Sequence, residues 1–153
     1  MSALAAPSLV TAESAPIVNF RGRPVTTLAG TDQTGGAYTL LRYQLDKGYG
    51  PPQHIHHAED ELFYLLSGTM LAVCGDQRLT LEPGSAAFLP RGLPHGFLIT
   101  DGPADLVQIT NPAGFENFMA EVGPNLDPAH IAEVGRRYHI EILGPPLDPA
   151  TMG

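Results

Sequence analysis

Between residues 17 and 111, short apolar or alternating runs recur at close spacing, separated by Gly, Pro and Asp. Such runs are typical of β-strands joined by tight turns. The chain contains 17 Gly and 15 Pro, which suit turns and destabilise helix interiors. Strands are predicted at residues 17–20, 25–28, 37–45, 61–66, 69–74, 78–81, 86–89, 95–100 and 106–110. Ser67-Gly68 and Gly75-Asp76 predict hairpins, so the fold class is all-β, a sandwich or barrel with the jelly roll among the candidates.

The pattern changes after Pro112. Apolar residues at 115, 118, 119 and 122 have helical spacing and predict a helix over 114–122. A second helix is predicted over 128–138, with Asp127 as its N-cap and Pro128 in its first turn. Residues 140–147 are apolar and then Pro-rich, and we expect them to lie extended over the barrel. The predicted organisation is an N-terminal arm (1–16), one barrel (17–111) and a helical and extended C-terminal tail packed on it (112–153).

The length of 153 residues fits one domain, and the formal net charge is −8. No cluster of Lys or Arg occurs, so we expect no nucleic-acid partner. No apolar run approaches the roughly 20 residues of a membrane span, and residues 1–14 lack the basic start of a secretory signal. The single cysteine, Cys74, is compatible with a reducing compartment. We therefore expect a soluble cytoplasmic protein that acts on a small molecule.

Three histidines and one glutamate form the most informative pattern. Residues two apart on a strand face the same way, so His54 and His56 should point together while Ile55 points away. A short polar turn then leads to Glu61, which opens the next strand. A third imidazole could come from His95, which opens a strand of its own. The sequence therefore predicts a metal site made of His54, His56, Glu61 and His95.

This donor set limits the choice of metal. Three neutral imidazoles and one carboxylate suit a divalent transition metal, whereas Mg²⁺ and Ca²⁺ prefer oxygen ligands. Iron, nickel, manganese, cobalt and zinc all accept such donors. With one carboxylate, the site would carry about one net positive charge, which stabilises an anionic oxygen such as an enolate or phenolate.

The same residues resemble the two motifs of the cupin family. Gly48, His54, His56, Glu61 and Gly68 match the first motif, G-x5-H-x-H-x3,4-E-x6-G, at every spacing. The second motif is G-x5-P-x-G-x2-H-x3-N, which this sequence matches at Gly84, Pro90, Gly92 and His95. Ile99 stands where the family has Asn, which is not a metal ligand there. The resemblance implies a cupin jelly-roll β-barrel that holds one divalent metal ion.

The whole chain looks like the bacterial mono-cupins grouped with quercetin 2,3-dioxygenase. That resemblance implies a dioxygenase in which Glu61 takes the proton of a substrate hydroxyl and O₂ attacks the activated ring. Two alternatives remain open, because cupins share these ligands across unrelated chemistries. One is an isomerase or cyclase that uses the metal without O₂. The other is a non-enzymatic module that binds a small molecule.

The residues around the predicted ligands receive plainer interpretations. Counting by twos along the strands brings Tyr43, Phe63, Leu65, Phe97 and Ile99 to the inner face, where they would form an apolar substrate pocket. His57 faces away from the His54 side and is interpreted as a loop or surface residue.

The turn carboxylates Glu59 and Asp60 are interpreted as solvated, although either could replace Glu61 if the turn takes another path. Tyr64 and Leu66 lie on the opposite face from Glu61. They are candidates for the contact of a homodimer, which the family resemblance also makes plausible.

Overall fold

The computed structural model describes residues 5–150. Residues 1–4 of the predicted N-terminal arm and residues 151–153 of the predicted tail lie outside this range. The elements in chain order are β1 (Ile17–Phe20), β2 (Arg23–Ala29), α1 (Thr31–Thr34), β3 (Thr39–Leu45), β4 (Pro52–His56), β5 (Asp60–Cys74), β6 (Gln77–Leu81), β7 (Ala86–Leu89), β8 (His95–Asn111), α2 (Phe115–Val122), α3 (Pro128–Arg137) and β9 (Ile140–Pro146). The all-β prediction is confirmed. The short helix α1 has no counterpart among the predicted elements.

The strands form one curled antiparallel sheet in the order β1-β2-β3-β8-β4-β9, with β5 also paired to β8 and carrying β6 and β7. β5 and β8 are the two longest strands and run alongside each other from Asp60 opposite Asn111 to Cys74 opposite His95. Alternate residues of the strands point into the curl, as in β3, where Leu41, Tyr43 and Leu45 are buried. The inward side chains fill the barrel and form its core.

The predicted hairpin at Ser67-Gly68 is wrong. β5 continues through these residues, and the pairing with β8 is irregular there instead. Gly68 has a φ of 83°, and a Cβ on it would lie 2.8 Å from the Cα of Ala104. A bulge of this kind bends a long strand without ending it. By contrast, Gly75-Asp76 is a two-residue hairpin, since Cys74 pairs with Gln77 across it.

The C-terminal segment forms both predicted helices and then joins the sheet. In α2 the apolar face predicted by the spacing is buried, and α3 begins at Asp127, whose carboxylate accepts a hydrogen bond from the amide of Ala129. The sequence predicts that the last residues lie extended over the barrel. They instead form β9, which is hydrogen-bonded to β4 over five residue pairs. No helix within residues 5–150 is long and apolar enough to cross a membrane.

Candidate metal centre

Three strands bring the four predicted ligands together. β4 carries His54 and His56, Glu61 is the second residue of β5, and His95 is the first residue of β8. One donor atom from each side chain can be chosen so that all four lie within 4.8 Å of one another. His56, Glu61 and His95 are buried and His54 is partly buried. The cluster therefore has the donor types and the spacing that a single ion requires.

The three imidazoles are oriented through their Nδ1 atoms. Nδ1 of His54 lies 2.6 Å from the carbonyl oxygen of Pro52, and Nδ1 of His95 lies 3.1 Å from that of Leu93. In His56 the Nδ1 atom instead lies 3.3 Å from Oε1 of Glu59. A proton on each Nδ1 satisfies these acceptors, so each Nε2 can offer a lone pair to an ion once any second proton has left the ring. Metal-binding histidines in proteins are held in this way.

The atoms that face the centre of the cluster have no hydrogen-bond partner. Among residues 5–150 these buried atoms include Nε2 of His56, Nε2 of His95 and Oε2 of Glu61. Nε2 of His95 and Oε2 of Glu61 are only 2.6 Å apart. Buried polar atoms without partners are costly, and here they converge on one place. This is the arrangement expected of donors that surround an ion.

Burial and mutual contact shift the pKa values of the cluster in opposite directions. Burial, with the charges of His95 and His56, lowers the pKa of His54 to about 3. Burial also lowers the pKa of His56, but the charge of Glu61 and the hydrogen bond to Glu59 outweigh it and raise that pKa to about 10. For Glu61, burial raises the pKa, but His56 and His95 hold it well below its usual range. Glu61 is therefore an anionic group among imidazoles.

Two polar residues beside the ligands were missed by the sequence-based reasoning. Glu59, expected to be a solvated turn carboxylate, is only 7% exposed and contacts His56. Gln108 is also buried, and its Nε2 donates a 2.5 Å hydrogen bond to Oε1 of Glu61. The signal for Gln108 was its place in β8, an even number of residues from Leu106 and Thr110 on the inward face. The spacing of Glu59, three residues after His56, carries no comparable signal.

Two other polar residues near the cluster, His57 and Asp60, form contacts at the protein surface. His57 is exposed, and its Nε2 contacts Oε2 of Glu141 at 2.8 Å. Asp60 forms an ion pair with Arg91 at 3.1 Å. Neither side chain belongs to the cluster of candidate ligands.

A largely apolar cavity opens onto the cluster. Its empty volume is about 500 Å³, the open mouth included, and His54, Glu61 and His95 form part of its wall. Tyr43, Phe63 and Phe97 also line it, whereas Leu65 and Ile99 are fully buried in the barrel core and do not. The helical segment contributes Phe115 and Met119 from α2, and the Phe115 ring centroid lies 5.2 Å from that of His56. The segment after the barrel thus forms one wall of the cavity.

Comparisons with known proteins agree with the fold and the motifs. Residues 41–110 match the Cupin domain family. Quercetin 2,3-dioxygenase of Bacillus subtilis (strain 168) is 26% identical over 96 residues, which are 63% of this chain and 28% of that protein. The chain thus spans little more than a quarter of the length of this curated relative.

Two solved structures show the likeness of fold. KdgF from Halomonas sp. superposes with a TM-score of 0.64 at 17% identity, over 73% of this chain and 99% of that chain. The polyketide cyclase RemF from Streptomyces resistomycificus gives a TM-score of 0.57 at 24% identity, over 71% and 81% of the two chains. The barrel, both motifs and these matches lead to one conclusion: residues 41–110 match the Cupin domain family, and the barrel that contains them has the cupin fold.

Proposed function

We propose that this protein is a metal-dependent enzyme that acts on a small enolic or aromatic molecule, and that its reaction is a dioxygenation like that of quercetin 2,3-dioxygenase. The observation that carries the proposal is the convergence of buried, unpartnered Nε2 and Oε2 atoms at the end of an apolar cavity. The partial match to a quercetin 2,3-dioxygenase supports the reaction type. The apolar wall favours a flat, largely apolar substrate with oxygen donors.

The proposed ligands are His54, His56, Glu61 and His95, and the donor set suits iron, nickel, manganese, cobalt or zinc. When bound, such an ion supplies a positive centre that lowers the pKa of a coordinated hydroxyl and stabilises the resulting anionic oxygen. Its charge also keeps Glu61 ionised.

In the proposed reaction Glu61 accepts the hydroxyl proton of the substrate at one carboxylate oxygen. Gln108 holds Oε1 of Glu61 through its amide, so Oε2 is the oxygen left to accept the proton. Phe63, Phe97 and Phe115 line the space for the substrate ring and exclude water from it. Glu61 would then both help to hold the ion and accept the proton of a hydroxyl group placed beside it.

The alternatives use the same residues without O₂. In an isomerase or cyclase, Glu61 would move a proton within the substrate, and the fold is shared with a polyketide cyclase. In a binding module, the cavity would hold a small molecule without turning it over. Oxygen uptake separates the proposed dioxygenase from both.

The experiment begins with metal content. We expect the purified protein to contain about one transition-metal ion per chain, and His95→Ala to lose most of it. His57→Ala is the matched control, since it removes an exposed imidazole that lies outside the cluster. Equal metal content in the two variants would contradict the proposed site.

The second step is oxygen uptake by the metal-loaded protein with quercetin as substrate, recorded beside the His95→Ala variant. Uptake that depends on His95 supports the dioxygenase. If there is none with quercetin or with other enols, while polyketide-like aromatics are cyclised, the cyclase is favoured instead.

We also propose that the protein is a homodimer. Tyr64 and Leu66 on the outer face of β5 are each 41% exposed, and the neighbouring Phe88 of β7 is 58% exposed. Three large apolar side chains on one sheet face form a surface that a second copy could cover.

A cytoplasmic location is proposed as well, because the single cysteine, Cys74, is a buried free thiol that suits a reducing compartment. Fractionation of the source cells tests this location.

A further inference from the structure

Arg21 occupies an unusual position in the turn between β1 and β2. Its φ is 54°, a left-handed conformation that non-glycine residues rarely adopt. The backbone amide of Arg21 donates a 2.8 Å hydrogen bond to the carbonyl oxygen of Gly123, just after α2. Since a strained backbone persists only where the surroundings hold it, this contact fixes the direction in which the Arg21 side chain leaves the turn.

The side chain of Arg21 is partly buried, and its guanidinium is incompletely paired. Its Nε and Nη1 atoms are buried with no hydrogen-bond partner among residues 5–150. A side-chain hydrogen bond joins Arg21 to the phenol of Tyr49, and no carboxylate within the described range forms an ion pair with it. Buried N–H groups without an acceptor are unfavourable, so a functional partner is the simplest reason for their presence.

Arg21 faces the space next to the candidate metal centre. A second cavity, with an empty volume of about 360 Å³ that includes space open to solvent, is lined by Arg21 together with His54 and His56. It shares His54, Phe20, Pro51 and Phe115 with the first cavity, which opens onto the cluster of candidate ligands. A ligand in this part of the molecule can therefore meet the guanidinium at one end and the metal ligands at the other.

The other arginine of this hairpin is already paired. Nη1 of Arg23 lies 2.8 Å from Oδ2 of Asp46, and its guanidinium lies over the Tyr49 ring, 4.6 Å from the centroid. Arg23 also lines the first cavity, so the two arginines are close in place but differ in their partners. Arg21 is the one with unused donors.

We propose that Arg21 binds a carboxylate of the substrate, and that the site therefore takes an aromatic or enolic acid whose carboxylate is remote from the oxygen that meets the metal. This inference rests on the proposed function, because it names the substrate class of the same site. A guanidinium with free N–H groups in a largely apolar cavity is a strong and selective partner for a carboxylate. The apolar walls would hold the ring between the two polar ends.

The test compares an acid with its neutral amide on the zinc-loaded protein, by titration calorimetry. The probes are 3-hydroxybenzoate and 3-hydroxybenzamide. In both, the hydroxyl group lies too far from the carboxylate or amide group for the two to bind the same ion. We expect the wild-type protein to bind the acid at least about tenfold more tightly than the amide, and Arg21→Gln to bind both alike with unchanged affinity for the amide. Arg23→Gln is the matched variant and should keep the preference.

Several results would overturn the proposal. These are equal binding of acid and amide by the wild-type protein, a preference retained in folded Arg21→Gln, or a preference lost in Arg23→Gln instead. If Arg21→Gln does not fold, ¹⁵N-labelled wild-type protein decides the matter. The acid, and not the amide, should shift the Arg21 Nε–H resonance, and no shift contradicts the proposal.

The outcome can be separated from that of the proposed function. Metal content, measured on the same preparations, reports on the metal site. The ratio of acid to amide affinity reports on Arg21, even in protein that holds no metal.

Discussion

Glu59 contacts the side of the His56 ring that faces away from the other three candidate ligands. Its Oε1 lies 3.3 Å from Nδ1 of His56, while Nε2 of the same ring lies 3.2 Å from Oε1 of Glu61. The two carboxylates thus bracket one imidazole. Because Glu59 accepts a hydrogen bond from Nδ1–H, it favours the tautomer in which the Nε2 lone pair is available to an ion.

The first prediction concerns this contact. Glu59→Ala should reduce metal affinity by about ten- to a hundredfold, because His56 loses the acceptor that fixes its orientation and tautomer. The measurement is competition with a chelator of known affinity. Asp60→Ala is the control, since it removes the adjacent carboxylate, which pairs with Arg91 outside the cluster. Equal affinities of the two variants would show that Glu59 has no positioning role.

The convergence of the four candidate ligands could be predicted from sequence, whereas the position of Glu59 could not. His54 and His56 lie on one strand, where a period of two decides which side chains point together, and Glu61 begins the next strand. Residues 57–59 form a turn, and no period relates their side chains to the barrel. The path of that turn, which buries Glu59, depends on packing against distant parts of the chain.

Two further features also depended on contacts with distant parts of the chain and could not be predicted from local sequence. Ser67-Gly68 has the composition of a hairpin, and a glycine bulge within one long strand has that composition too. Only the pairing of β5 with β8 distinguishes the two. For α2, the spacing identified the apolar face but not its neighbour, so Phe115 was not predicted to lie beside His56.

The second prediction concerns Glu61. Glu61→Gln should lower turnover per bound metal by about a hundredfold or more on the substrate that the oxygen-uptake assay identifies. The amide oxygen can take the hydrogen bond from Gln108, which leaves the NH₂ group where a proton acceptor is needed. Turnover and metal content are measured together, with Asp60→Asn as control. Unchanged turnover per metal ion would exclude Glu61 as the proton acceptor.

The third prediction concerns Glu116, which joins α2 to the barrel. Its carboxylate accepts hydrogen bonds from the amide and hydroxyl of Thr31 and from the hydroxyl of Thr39. Burial raises the pKa of Glu116, but these hydrogen bonds outweigh it, and the pKa lies below the usual value of 4.5. Its ionised form therefore stabilises the fold above about pH 4.5, and this contribution disappears as the pH falls through the lowered pKa.

Glu116→Gln should therefore lower the free energy of unfolding by about 1–2 kcal/mol at pH 7, because the group is only half-buried. The difference from wild type should shrink below pH 4.5. Urea unfolding at several pH values measures it. Glu133→Gln, on the exposed side of α3, should have little effect. A difference for Glu116→Gln that does not change with pH would contradict the assigned cause.

The fourth prediction concerns the outer sheet face. Light scattering should give the wild-type protein about twice the mass of the 16.3 kDa chain. Phe88→Glu should give the mass of one chain, because a charge would be buried against Tyr64 and Leu66 of a second copy. Leu126→Glu changes an equally exposed apolar residue between α2 and α3 and should leave the mass unchanged. A wild-type protein with the mass of one chain contradicts the homodimer.

The pairing of β4 with β9 has a consequence for the order of events during synthesis. The strand that carries His54 and His56 shares one residue pair with β8 and five with β9. During synthesis β4 leaves the ribosome roughly eighty residues before β9. For most of this interval one edge of β4 has no partner strand. We therefore expect the site to hold an ion firmly only after residue 146 has left the ribosome. Metal binding would then be one of the last steps in the folding of the domain.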